Sequence, residues 1–111
     1  MIDVERLVAH WQSGAAEDWN VAADLVQRGN VRHGMFFAHL ALEKVLKAHV
    51  CRKIGDLPPR LHNLVKLAEF AELELAVAQT ETLAEMNVFC LAGRYPDATL
   101  PQPSLAQLPR P

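Results

Sequence analysis

Apolar positions recur along the first half of the chain at three- and four-residue steps. Val4, Leu7, Val8, Trp11, Ala15, Trp19, Ala22 and Val26 fall on one stripe of a helix predicted from about Asp3 to Gln27. Arg28-Gly29-Asn30 ends it, because Gly and Asn adopt the left-handed conformation that terminates helices. So short a connection sends the next helix back antiparallel, as an αα-hairpin. That second helix, predicted over Val31 to Ile54, is apolar on two sides. Met35, Ala38, Leu42, Val45 and Leu46 make one broad arc, and Phe36, Leu40 and Cys51 make another. A helix apolar on two sides is a central one, and the rest of the chain is organised around it. Between the arcs stand Glu43 and Lys47, four apart with the acid first, an orientation worth roughly 0.2–0.5 kcal/mol in an exposed setting.

The second half has shorter periods. Ile54-Gly55 closes the central helix, and Asp56-Leu-Pro-Pro-Arg60 cannot continue it, since two prolines remove donors and hold their predecessors extended. Leu61, Leu64, Val65 and Ala68 predict a third helix reaching about Glu74. Thr82-Leu-Ala-Glu85 has the capping-box pattern, and from it Leu83, Met86, Phe89 and Cys90 form the stripe of a fourth helix that stops at Gly93. Five of the seven prolines lie from Pro96 to Pro111, so the tail is expected to be extended or disordered. The reading is all-α: an antiparallel bundle of four main helices over residues 1–97, then a proline-rich tail over residues 98–111.

Composition narrows the class. A chain of 111 residues holds one domain and one core. Half the residues are hydrophobic, yet no run approaches the ~20 needed to span a bilayer, and Met-Ile-Asp-Val-Glu-Arg is too acidic for a signal peptide. A soluble, cytoplasmic protein is expected. Cys51 and Cys90 are far apart, with no Cys-x-x-Cys and no His pair at zinc spacing, so reduced core thiols are expected and neither a metal nor a cofactor is indicated. The net charge of −2 gives no general attraction for nucleic acid, but its distribution is dipolar. Lys44 to Lys66 holds six bases against one acid, and Glu69 to Glu85 holds five acids and no base. This describes either two solvated faces or a basic patch that meets a phosphate or an acidic partner.

The chemistry rests on a few polar residues. There is no phosphate-cradling glycine loop, no His-Glu-x-x-His and no serine elbow. His39, Glu43 and Lys47 share a stripe of the central helix, His62 opens the third, and Arg94 and Asp97 follow the fourth. Histidine serves as acid or base near neutral pH, and arginine grips phosphate bidentately. For His39 and His49 a hydrogen-bonded helix residue is the plainer reading, and for His62 a role at the helix start. Gly93 and Pro96 pin Arg94 near a helix C-terminus, where backbone carbonyls also attract a cation.

Trp11, Ala15, Asp18, Ala22 and Leu25, then Gly29, then Phe36-x-x-His-Leu-Ala-x-Glu-Lys-x-Leu-Lys-Ala48, then Pro59-x-x-His62-x-Leu64, then Arg94-Tyr-Pro-Asp97 follow in order a known pattern. Over roughly positions 8 to 97 the chain resembles HEPN domains (higher eukaryotes and prokaryotes nucleotide-binding). The resemblance implies an up-and-down bundle that forms a homodimer. It also implies nucleotide or RNA binding, often beside a small nucleotidyltransferase chain in toxin–antitoxin pairs.

Two departures shape the expectation. Ribonuclease members of the family have an arginine followed, after four to six residues, by a histidine. After Arg94 the corresponding positions hold Thr99, Leu100 and Pro101. Arg32 and His39 have that spacing, but they lie on the central helix among core residues. The usual last helix is also replaced by the proline-rich tail. The expectation is therefore a binding module with no catalytic residue, whose ligand meets Arg94, Asp97, Glu43, Lys47 and His62. The alternative is a metal-independent ribonuclease toxin using Arg94 with His62 or His39; a third is a structural partner that masks a nucleotidyltransferase. With the last helix missing, Leu83, Met86 and Phe89 are expected to be partly uncovered, which favours a two-fold dimer.

Overall fold

The computed structural model describes the backbone of residues 2–92 and the side chains of residues 2–90. It contains five helical segments: α1 (Val4–Gln27), α2 (Val31–Ile54), α3 (Leu64–Phe70), α4 (Val77–Met86) and α5 (Val88–Ala92), with no strand among the described residues. Over the described residues the chain is an all-helical bundle of four main helices, α4 and α5 being two parts of the predicted fourth.

The hairpin of α1 and α2 forms as the periodicity predicts. Asp3 caps α1 by accepting from the Arg6 backbone N–H at 3.1 Å. At the far end Gly29 takes a φ of 86° and the Asn30 N–H returns to the Leu25 carbonyl at 2.8 Å. Val8, Ala15 and Ala22 are the buried residues of α1, seven residues or about two turns apart along the predicted stripe. Small residues set the spacing of the pair. A Cβ on Gly34 would stand 2.6 Å from Val26 Cγ2 and 3.0 Å from the Ala22 carbonyl oxygen, so only glycine fits there.

The core gathers on α2. Ala22, Met35, Ala38, Leu42, Leu46 and Val50 meet Leu64, Leu67, Leu83, Met86 and Phe89 in one cluster, while Val8, Ala48 and Cys51 form a second with Val4, Leu7 and Trp11. Each large apolar side chain so buried contributes about 1.5–3 kcal/mol. Burial pushes the Cys51 thiol above its ordinary pKa, so it is protonated and inert.

Three expectations change. First, α3 spans only seven residues. It starts where Asn63 Oδ1 accepts from the Lys66 N–H at 3.1 Å, three residues after Leu61. It ends before Glu72, whose φ of 55° is left-handed. Leu73 and Leu75 then pack on the core from an extended segment, where alternate residues face the same way. Second, α4 starts five residues before Thr82. The Thr82 hydroxyl donates to the Ala78 carbonyl at 2.9 Å, inside the helix, and it is Gln79 Oε1 that accepts from the Ala76 N–H at 3.0 Å at the start. Third, Leu83, Met86 and Phe89 are covered, at 2%, 0% and 1% exposure, because α2 and α3 close over them. The apolar stripe invoked for a dimer is not open. The boundary at residue 97 and the proline-rich tail lie outside the described residues.

Candidate functional site

The site is built on the stripe of α2 that the two apolar arcs leave between them. Glu43 and Lys47 are one turn apart on a long regular helix, which fixes their separation, and both are buried. Glu43 Oε2 accepts from Lys47 Nζ at 3.0 Å, with the side chains only 8% and 9% exposed. Its other oxygen, Oε1, lies 3.0 Å from His62 Nδ1. The Lys47 ammonium also stands 5.4 Å from the centroid of the Trp11 ring, a cation–π contact that α1 supplies. Thus one carboxylate links α2 to the loop before α3, and the cation that neutralises it is sheltered by an indole.

Two asparagines carry His62 to Glu43. Asn63 caps α3, and Asn87, at the break between α4 and α5, accepts from the Leu64 N–H at 2.8 Å while its amide donates to Asn63 Oδ1 at 3.1 Å. Pro58 and Pro59 restrict the approach of the loop. The His62 side chain remains 61% exposed. A proton on Nδ1 donated to Glu43 leaves Nε2 of this accessible ring as a lone-pair acceptor. A second proton makes the ring a cation paired with the carboxylate.

His39, one turn before Glu43, is fully buried, and neither ring nitrogen has a hydrogen-bond partner. Burial holds its pKa below the ordinary 6.5, against the opposing pull of the Glu43 carboxylate and the nearby His62 backbone. It is a neutral imidazole beneath the site. His49, in contrast, is exposed on another side of α2.

The basic stretch is less positive than its sequence suggests. Lys44 pairs with Asp18 at 2.7 Å, Lys47 with Glu43, and Lys53 with Glu72. Arg52, Arg60 and Lys66 have no ion pair among the described residues and are exposed. Lys47 therefore has its charge paired with Glu43 inside the bundle.

Of the expected site residues, Glu43, Lys47 and His62 come together, and Arg94 and Asp97 lie outside the described residues. Trp11, Asn63 and Asn87 were not singled out as site residues. Asn63 carried a signal, a capping residue just before an apolar period; Asn87, 24 residues from Asn63, carried none. No group of three or more His, Cys, Asp or Glu side chains among the described residues is placed to hold a metal ion. No helix among them is long and apolar enough to cross a membrane.

An αα-hairpin covered by shorter helices, with a buried Glu–Lys pair on the central helix and a histidine delivered by the following loop, defines an all-helical bundle protein. Residues 8–107 match the HEPN domain, and the chain belongs to that family. Neither a curated protein nor a solved structure matches it.

Proposed function

We propose that this protein is a nucleotide- or RNA-binding module, catalytically inactive alone, whose ligand docks at the His62 edge of the bundle. The observation that carries the reading is the Glu43 carboxylate held between Lys47 and His62, which presents an accessible, oriented imidazole on a rigid helix. His62 and Arg60 supply donors for phosphate, Arg94 and Asp97 complete the proposed ligand set, with the arginine as a phosphate-binding cation, and Glu43 and Lys47 act through His62. The bundle of residues 1–97 is the functional unit. It works as a homodimer in the cytoplasm, beside a minimal nucleotidyltransferase in a toxin–antitoxin-type pair.

Binding is tested by fluorescence anisotropy of a labelled mixed-sequence single-stranded RNA, with ATP as competitor. Saturable binding is expected, weakened about tenfold or more in His62→Ala and Arg94→Ala. With so few unpaired cations, log K should fall against log salt with a slope of only about −2. No saturable binding of either RNA or ATP defeats the reading. Co-expression with an adjacent nucleotidyltransferase chain, followed by size-exclusion chromatography, tests the partner.

A second reading is favoured by one observation. A histidine whose Nδ1 meets a buried carboxylate is arranged as a general base, so His62 with Arg94 offers a route to metal-independent RNA cleavage. In-line attack by a 2′-hydroxyl also requires an acid for the leaving oxygen, and the described residues offer no second accessible histidine beside His62. The expected result is no cleavage of single-stranded RNA with or without Mg²⁺. Cleavage that disappears in both His62→Ala and Arg94→Ala establishes the ribonuclease instead.

A further inference from the structure

The side of α2 turned away from Glu43 carries two shallow grooves with apolar floors that the site above leaves unused. Val45 and His49 stand four residues apart, one above the other, and form a ridge. On the α1 side of that ridge lies a groove of about 370 Å³ floored by Val8, Ala16, Val45 and Ala48, with Gln12 and Arg52 on its lip. A second depression of about 190 Å³, walled by Leu73 and Leu75, lies against the same Val45 and His49. From Val8 to Ala16 on α1, and from Val45 to Arg52 on α2, the first groove runs about two helical turns, roughly 11–12 Å.

We propose that this face is a docking surface for an amphipathic α-helix of a partner protein. The helix seats across the Val45–His49 ridge, with apolar side chains in the two grooves and carboxylates against Arg52. An i, i+4 ridge flanked by two grooves is the shape that one helix presents to another, and Ala16 and Ala48 let a third backbone come close. Charge gives the partner its sign. The residues lining the two grooves include Arg52 and His49 but no carboxylate. Lys44, Lys47 and Lys53 each have an acid within the chain, whereas Arg52 has none among the described residues. An apolar floor with an unpaired arginine at its edge is the composition of an interface, and a planar guanidinium takes a carboxylate through two parallel hydrogen bonds.

The test uses the full chain as bait for a display library of 14-residue helical peptides, with apolar residues at i, i+3, i+4 and i+7 and random charges at the flanking positions. Enriched peptides should carry Asp or Glu in excess over Lys and Arg. They should bind Ala16→Trp, which fills the groove from an exposed position, at least tenfold more weakly. Arg52→Glu should reverse the charge preference. Thermal melts of both variants, followed by circular dichroism, check that the fold is kept. No enrichment, enrichment of basic peptides, or binding indifferent to Ala16→Trp in a folded protein overturns the proposal. So does a wild-type dimer that Ala16→Trp converts to monomer in sedimentation, since a second copy then occupies this face.

Discussion

The two sides of α2 depart from a plain apolar core in different ways. On one side Glu43, Lys47 and His39 are buried, and on the other, about half a turn away at roughly 100° per residue, the Val45–His49 face opens into grooves. Burying charge is expensive unless each oxygen and ammonium is paired, and Glu43 meets that condition with a partner on each oxygen. Leaving apolar surface open gains nothing for folding. The same helix therefore carries two kinds of departure from a simple core, a buried ion pair on one side and shallow grooves on the other.

The contrast is broken most sharply at Glu43. Glu43→Ala leaves the Lys47 ammonium buried and uncompensated, and urea unfolding should show a loss of about 3–5 kcal/mol. The double variant Glu43→Leu, Lys47→Met should recover most of it. If the single change costs less than about 1 kcal/mol, Lys47 reaches water in solution and the buried side is not as described.

Asn87 comes next. Asn87→Ala removes the acceptor for the Leu64 N–H and the donor to Asn63, at about 1–2 kcal/mol. Because these bonds place His62, the loss of RNA affinity should be larger than in Thr82→Ala, a change in α4 that leaves the clamp intact.

His39 sharpens the electrostatic half. Its folded pKa lies below 6.5, so the unfolded chain takes the proton first. Its contribution is level above about pH 6.5, and stability falls as pH drops below that value, by at most about 1.4 kcal/mol per unit. His39→Leu should flatten the profile between pH 6.5 and 5. It should also raise stability at pH 7 by about 1–2 kcal/mol, since two unpartnered ring nitrogens leave the core. An unchanged pH profile would show that His39 is protonated or hydrated in the folded state.

The smallest effect is expected on the open side. Arg52→Ala should change stability by less than about 0.5 kcal/mol, because the side chain is exposed and no carboxylate among the described residues pairs with it. A loss above 1 kcal/mol would give Arg52 a structural role and weaken its assignment to a partner.

The sequence by itself determined the hairpin. A stripe at Val8, Ala15 and Ala22, a left-handed stop at Gly29 and a two-sided apolar helix leave little freedom, since each is a local pattern repeated over many turns. It also marked Glu43, Lys47 and His62 as residues of interest, through their spacing on one helix and the family pattern. Tertiary structure decided the rest. The short helices at Leu64–Phe70 and Val77–Met86 take their limits from single hydrogen bonds at Asn63 and Gln79 and from the core's need for Leu73 and Leu75, which no periodicity records. The meeting of His62 with Glu43, 19 residues apart, and the clamp of Asn87 on Leu64, 23 apart, depend on how the loop lies over α2. The surroundings of the Lys47 charge were likewise decided by packing, because the Trp11 ring and the Glu43 carboxylate converge on it only in the folded chain.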